Sequence, residues 1–143
     1  MHATSVALQQ GRGWRALLLR GPSGAGKSDV ALRLLEAGGR LVADDQTHLA
    51  KAGRALIAAP PAALAGLIEV RGIGVVRLAR GQLMARAPVH LLVDLVAPEL
   101  VERLPDPRTE KVLGVDLPVV ALAPFEASIV TKLRLALARA AAA

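Results

Sequence analysis

Hydrophobic and polar positions along this chain switch between a period of two and a period near 3.6. Trp14 to Arg20 is a short apolar run bounded by glycines and reads as a buried strand, with Thr4 to Leu8 upstream as its hairpin partner. From Ser28 the spacing becomes helical: Val30, Leu34 and Leu35, with Ala31 and Ala37, recur on one face until Gly38-Gly39 stops it. Arg40 to Ala43 reads as a strand running into Asp44-Asp45, and Thr47 to Ala59 as a hairpin turning near Ala52-Gly53 and closed by Pro60-Pro61. Leu67 to Leu78 is strand-like but carries Gly72 and Gly74, which predicts a bulge or a close backbone approach. Strands at Val89 to Val96 and Val112 to Ala121 follow, then a helix from about Pro124 to Ala138 and a frayed tail at Ala140 to Ala143. No repeat or linker interrupts the pattern, so residues 1–143 are expected to form a single domain.

Composition narrows the function classes. The chain is 53% hydrophobic, yet its longest uncharged stretch, Ala55 to Ile68, contains Pro60-Pro61 and falls short of the roughly 20 residues of a spanning helix, which argues against a membrane protein. Trp14 and Phe125 are the two aromatic side chains, too few for a base-stacking nucleic-acid surface. The net charge of +6 could suggest a nucleic-acid partner, but the 14 arginines are scattered and form no basic run, so none is expected. Zero cysteines exclude disulfides and thiolate metal sites, while His2, His48 and His90 are too far apart in sequence for a local metal motif. The first residues lack the hydrophobic segment of a signal peptide, which predicts a cytoplasmic protein.

The chemistry concentrates in Gly21-Pro22-Ser23-Gly24-Ala25-Gly26-Lys27-Ser28, a full match to G-x-x-x-x-G-K-[ST] placed between a strand and a helix. The glycines permit close backbone approach, so successive N–H groups can converge on phosphate oxygens at the positive end of the helix. Lys27 would reach the terminal phosphates and the Ser28 hydroxyl would bind magnesium.

Asp44-Asp45 ends a strand 18 residues beyond Lys27, where one carboxylate could serve the metal and the other accept a proton; the pair reads equally as a turn. In Leu67-Ile68-Glu69-Val70-Arg71-Gly72-Ile73-Gly74-Val75-Val76, strand alternation would send Glu69 and Arg71 to the same face.

In this order and spacing, GPSGAGKS, LVADD and APPAALAGLIEVRGIGVV resemble the catalytic domain of the HPr kinase/phosphorylase family, over His2 to about Ala123. The resemblance implies an α/β P-loop kinase domain of the HPr kinase / phosphoenolpyruvate carboxykinase type, with a mixed sheet and helices, using ATP and Mg2+ to phosphorylate a serine of the phosphocarrier protein HPr. It places Gly21 to Ser28 on the nucleotide phosphates and makes Ser28 and Glu69 magnesium ligands. Asp45 becomes the proton acceptor, with Asp44 its neighbour in the metal and phosphate site, His2 the active-site histidine and Arg103 the catalytic arginine. A homo-oligomer is left open. The resemblance implies a short form, expected to be without the family's usual amino-terminal domain. Its basic, glycine-containing segment for the reverse, phosphate-dependent reaction is replaced by Ala123-Pro124-Phe125-Glu126-Ala127-Ser128, so the acidic Glu126 is expected to disfavour that reaction. The competing reading is a nucleotide-binding sensor without kinase turnover that interacts with a histidine kinase or phosphocarrier. It would keep Gly21 to Ser28 but need neither Asp45 nor Arg103.

Overall fold

The computed structural model describes residues 1–142 and has a mixed sheet with helices on one face. The first two strands, β1 (Thr4–Gln10) and β2 (Gly13–Arg20), form the expected antiparallel hairpin, with Thr4 opposite Leu19. The helix α1 (Lys27–Glu36) leads to β3 (Arg40–Ala43), which returns antiparallel to the other edge of β1 and sets Ser5 opposite Ala43. Next come the hairpin β4 (His48–Ala52) and β5 (Ala55–Ala59), then a separate two-stranded hairpin, β6 (Leu67–Val70) and β7 (Gly74–Arg77). Finally β8 (Ala87–Leu95) lies parallel to β2, β10 (Val115–Leu122) lies parallel to β8, and β9 (Arg108–Val112) closes the edge. The resulting order is β3-β1-β2-β8-β10-β9, with β5 also pairing β8.

Alternation along the central strands divides the core in two. Leu17 and Leu19 of β2 pack with Val6, Leu8, Leu91 and Val93 beneath α1 and the last helix, α2 (Ile129–Ala142), whose Ile129, Leu133 and Leu137 are fully buried. Ala16 and Leu18 point the other way, against Leu56 and Ala58 of the β4–β5 hairpin. Both faces of β2 are therefore covered, as its uninterrupted apolar run requires, and each buried leucine contributes about 1.5–3 kcal/mol of transfer free energy.

The structure changes three of the expected elements. Leu67 to Leu78 is not a bulged strand but a tight hairpin: Val70 pairs with Gly74, and Gly72 turns the chain at φ 87°. Val112 to Ala121 is likewise not one strand, because Leu113 (φ 48°) and Gly114 (φ 81°) make a two-residue reversal between Val112 and Val115. Two successive residues of positive φ match the right-handed twist of a hairpin. The final helix begins at Ile129 rather than Pro124, since Pro124 to Ser128 is a loop whose Pro124 and Glu126 carbonyls accept hydrogen bonds from the Arg33 guanidinium of α1. It also continues through Ala142, so the expected fraying at Ala140 to Ala142 is absent, and Ala143 lies outside the described residues.

Candidate functional site

Strand direction builds the site. Because β2, β8 and β10 run parallel, their carboxyl ends release three loops on one side of the sheet, the edge where open α/β sheets take ligands. The antiparallel β1 begins at this same edge and β3 ends there, so the residues flanking Thr4 and Ala43 meet the loop that follows β2.

That loop is Gly21 to Gly26. A Cβ on Gly21 would stand 2.7 Å from the Ala25 Cβ, so no side chain fits there. Gly24 and Gly26 adopt φ of 84° and 100°, a left-handed geometry that costs glycine nothing. The Ala25 amide donates to the Pro22 carbonyl at 2.9 Å, closing the turn. Gly26 caps α1 without any side-chain hydrogen bond, and the first amides of a helix have no partner within it. This cradle of open N–H groups at a helix start suits phosphate oxygens. The Lys27 ammonium, 6% exposed, donates to the carbonyls of Gly21 (2.7 Å) and Pro22 (3.2 Å).

The acidic pair stands beside it. Asp44 Oδ1 accepts from the Ser28 hydroxyl at 2.7 Å and from the Thr4 hydroxyl at 3.1 Å, while its Oδ2 accepts from the Glu69 amide at 2.9 Å. Asp45 sits at φ 64°, its amide donating to Thr4 Oγ1 at 3.0 Å. Its Oδ1 lies 2.8 Å from His2 Nε2 and 4.0 Å from Lys27 Nζ. A carboxylate can only accept, so Nε2 carries the hydrogen of that contact.

Magnesium takes hard oxygen donors, keeps several waters and is held by one or two carboxylates together with substrate phosphates. The Ser28 hydroxyl and the Asp44 carboxylate, in contact beside the cradle, fit that donor set. Among the described residues no three His, Cys, Asp or Glu side chains gather as a metal cage, and the Glu69 residue is exposed, joining the group through its amide.

The structure thus brings together Gly21 to Ser28, Asp44, Asp45 and His2, with the Glu69 backbone. It does not bring in Arg103, which lies on the exposed 102–107 segment with no hydrogen bond or ion pair to these residues among those described. The arginine at the loop is Arg71, whose Nη2 lies 3.7 Å from the place a Gly24 Cβ would occupy. Alternation had grouped Arg71 with Glu69 on a strand face; the turn at Gly72 delivers it to the phosphate loop instead. Thr4, fully buried and bonded to both aspartates, carried no sequence signal beyond its place in a strand. Glu126 pairs with Lys132 at 3.1 Å, which offsets its charge.

A second constellation adjoins the loop. Arg20, the last residue of β2 before Gly21, grips Asp94 (2.9 and 3.2 Å) and Glu110 (2.5 and 3.0 Å), tying β2, β8 and β9 together. The hydrogen bond to Glu110 is the main cause holding the Arg20 guanidinium further above its usual range, and the same bond holds the Glu110 carboxyl below its own. Asp94, at the end of the strand beside the phosphate loop, is committed to this network.

Comparisons with known proteins identify the family. The model of the HPr Serine kinase C-terminal domain matches residues 7–134. The chain is 40% identical over 116 residues to the HPr kinase/phosphorylase of Chlorobium phaeobacteroides (strain BS1), covering 74% of this chain and 34% of that protein. It is 38% identical over 125 residues to the HPr kinase/phosphorylase of Chlorobaculum tepidum, covering 80% and 36%. It therefore spans about a third of the length of these curated relatives. The solved structure of the Hpr(Ser) kinase/phosphatase from Coxiella burnetii superimposes with a TM-score of 0.81 at 28% identity, covering 97% of this chain and 87% of that one. The matched span holds the phosphate loop, both aspartates and the hairpin that carries Glu69 and Arg71, and the chain belongs to the HPr serine kinase C-terminal domain family.

Proposed function

We propose that this chain is an ATP- and magnesium-dependent protein kinase that phosphorylates a serine of an HPr-type phosphocarrier, in the regulation of the phosphotransferase system and carbon metabolism. One observation carries the reading: Asp45 Oδ1 stands between His2 Nε2 and the phosphate-loop Lys27 Nζ, at 2.8 and 4.0 Å. A carboxylate so placed can accept the proton of a serine hydroxyl next to the phosphates the loop would hold. The N–H groups of the Gly21 to Ser28 cradle hold those phosphates, and Lys27 exchanges its carbonyl partners for phosphate oxygens. Arg71 adds guanidinium charge beside Gly24, and Arg103 would add its own on docking of the protein substrate. Ser28 and Asp44 would hold magnesium, with Glu69 as a further ligand, and the ion would supply charge neutralisation to the transferring phosphate.

The sensor reading needs the phosphate loop but not the two bonds that fix Asp45, and nothing in the geometry favours it. Forward transfer is proposed as the main reaction, with the cytoplasm as its setting. Incubation of the purified chain with ATP, magnesium and HPr, read by intact mass, tests the proposal. A one-phosphate increase on HPr that requires all three components is expected, and an unmodified HPr would refute the kinase reading.

A further inference from the structure

We propose that Phe125 is the platform on which the nucleotide's base stacks beside the phosphate loop. This rests on the nucleotide-binding reading above and adds to it the group that would hold the nucleoside. The loop Ala123 to Ser128 leaves the carboxyl end of β10, at the same sheet edge as the phosphate loop, and crosses directly over Gly26. A Cβ on Gly26 would stand 3.0 Å from Phe125 Cζ, 3.2 Å from its Cε1 and 3.1 Å from Pro124 Cβ. The ring touches the glycine that opens α1, yet Phe125 is 69% exposed. An isolated exposed apolar residue needs no explanation by itself. Its location does, since this chain has only two aromatic residues and the other, Trp14, lies under the Arg40 guanidinium at 4.7 Å.

The platform is also pre-ordered. Arg33 of α1 donates to the carbonyls on either side, those of Pro124 and Glu126, and Lys132 of α2 holds the Glu126 carboxylate at 3.1 Å. Little backbone freedom is left to lose when a ligand settles on the ring. Phosphates bound by the amides at the start of α1 would leave the sugar and base to extend outward past Gly26, where this ring offers an exposed apolar face. The ligand class is a nucleoside triphosphate. Stacking reads a π-face and no hydrogen-bond pattern, so adenine and guanine should serve about equally.

The test measures binding of ATP, GTP and inorganic tripolyphosphate, each with magnesium, to the wild-type chain, Phe125→Ala and Phe125→Trp. Phe125→Ala should weaken ATP and GTP by roughly 5- to 140-fold, the range carried by one base-on-aromatic stack, and leave tripolyphosphate unchanged. Phe125→Trp should retain the nucleotides and show fluorescence quenching, above the Trp14 background, with ATP but not with tripolyphosphate. An equal loss for all three ligands would make Phe125 a packing support for the loop and overturn the proposal, as would no loss for any. A wild-type chain that binds neither ATP nor tripolyphosphate would instead overturn the phosphate-loop reading beneath it.

Discussion

His2 Nε2 lies 2.8 Å from Asp45 Oδ1 across 43 positions of sequence, and the sheet enforces that meeting. His2 bridges to Gln46, Thr47 Oγ1 donates to the Ala3 carbonyl, and the Asp45 amide donates to Thr4 Oγ1, so the strand entering β1 is stitched to the turn leaving β3. Asp45 is thereby kept at φ 64°, a conformation that aspartate tolerates and most residues resist. Its carboxylate is oriented without being buried, which suits a group that must meet an incoming hydroxyl.

Replacing Asp45 by Asn keeps the shape and removes the proposed proton acceptor. Phosphorylation of HPr should fall by about 10²- to 10⁴-fold, the usual scale of general-base catalysis, while ATP affinity is retained. Rates measured at saturating ATP decide it: an unchanged rate would reduce Asp44-Asp45 to a metal site or a turn.

Lys27→Ala removes the ammonium from the cradle. Loss of its charge-assisted contacts with phosphate should weaken ATP by about 10- to 100-fold. Calorimetry with magnesium present reads this directly, and an affinity equal to wild type contradicts the assignment of the loop.

Thr4→Val preserves volume but strips the hydroxyl that joins Asp44 Oδ1 to the Asp45 amide inside a fully buried position. Leaving these partners unsatisfied should cost about 1–3 kcal/mol in denaturant titration. Turnover should fall more steeply than ATP affinity, because the aspartates lose their alignment and the amide cradle does not. Equal losses in both would show that Thr4 serves the strand pairing alone.

One imidazole and one carboxyl group predict the acid dependence of stability. Burial, with the Arg15 charge adding to it, holds His90 below its ordinary 6.5. Below that value the unfolded chain binds a proton the folded one resists, so stability is full above it and falls as pH drops toward the folded value. Glu110, held below its ordinary 4.5 by the Arg20 hydrogen bond, contributes above that value and loses its contribution at still lower pH. Melting temperatures across pH 7 to 3 should therefore fall less steeply for His90→Gln in the upper window and for Glu110→Gln in the lower. Parallel curves for variant and wild type would refute the assignment.

Much of this architecture is written in local pattern. The Trp14 to Arg20 run, the helical spacing from Val30 to Leu35 and the glycine loop between them each follow from residues close in sequence, and the structure has them as expected. The reversal at Leu113-Gly114 is not legible, because Val112-Leu113-Gly114-Val115 is an apolar run with one glycine and lacks the Asn-Gly or Asp-Gly signature of such turns. The turn at Gly72 hid the course of Arg71 in the same way. The place of Arg103 is not legible in local pattern: its neighbours Glu102 and Leu104 are exposed, and no periodicity fixes where such a segment lies. Thr4 could not have been singled out, since a buried strand threonine acquires meaning only from what the fold sets opposite it, and Phe125, noted as one of two aromatics, acquires its place beside Gly26 only from the fold.

The central position of β2 also carries a hazard during synthesis. Its β1 edge can pair as soon as the first hairpin is made, but its other edge waits for β8, with Arg20 and Asp94 separated by 74 positions. Through that interval Leu17, Leu18 and Leu19 offer a flat apolar strand with open amides and carbonyls, a template for pairing with another chain. Chaperone cover and growth temperature should therefore govern the soluble yield more than the stability of the finished sheet does, and chains cut before β8 should aggregate rather than fold.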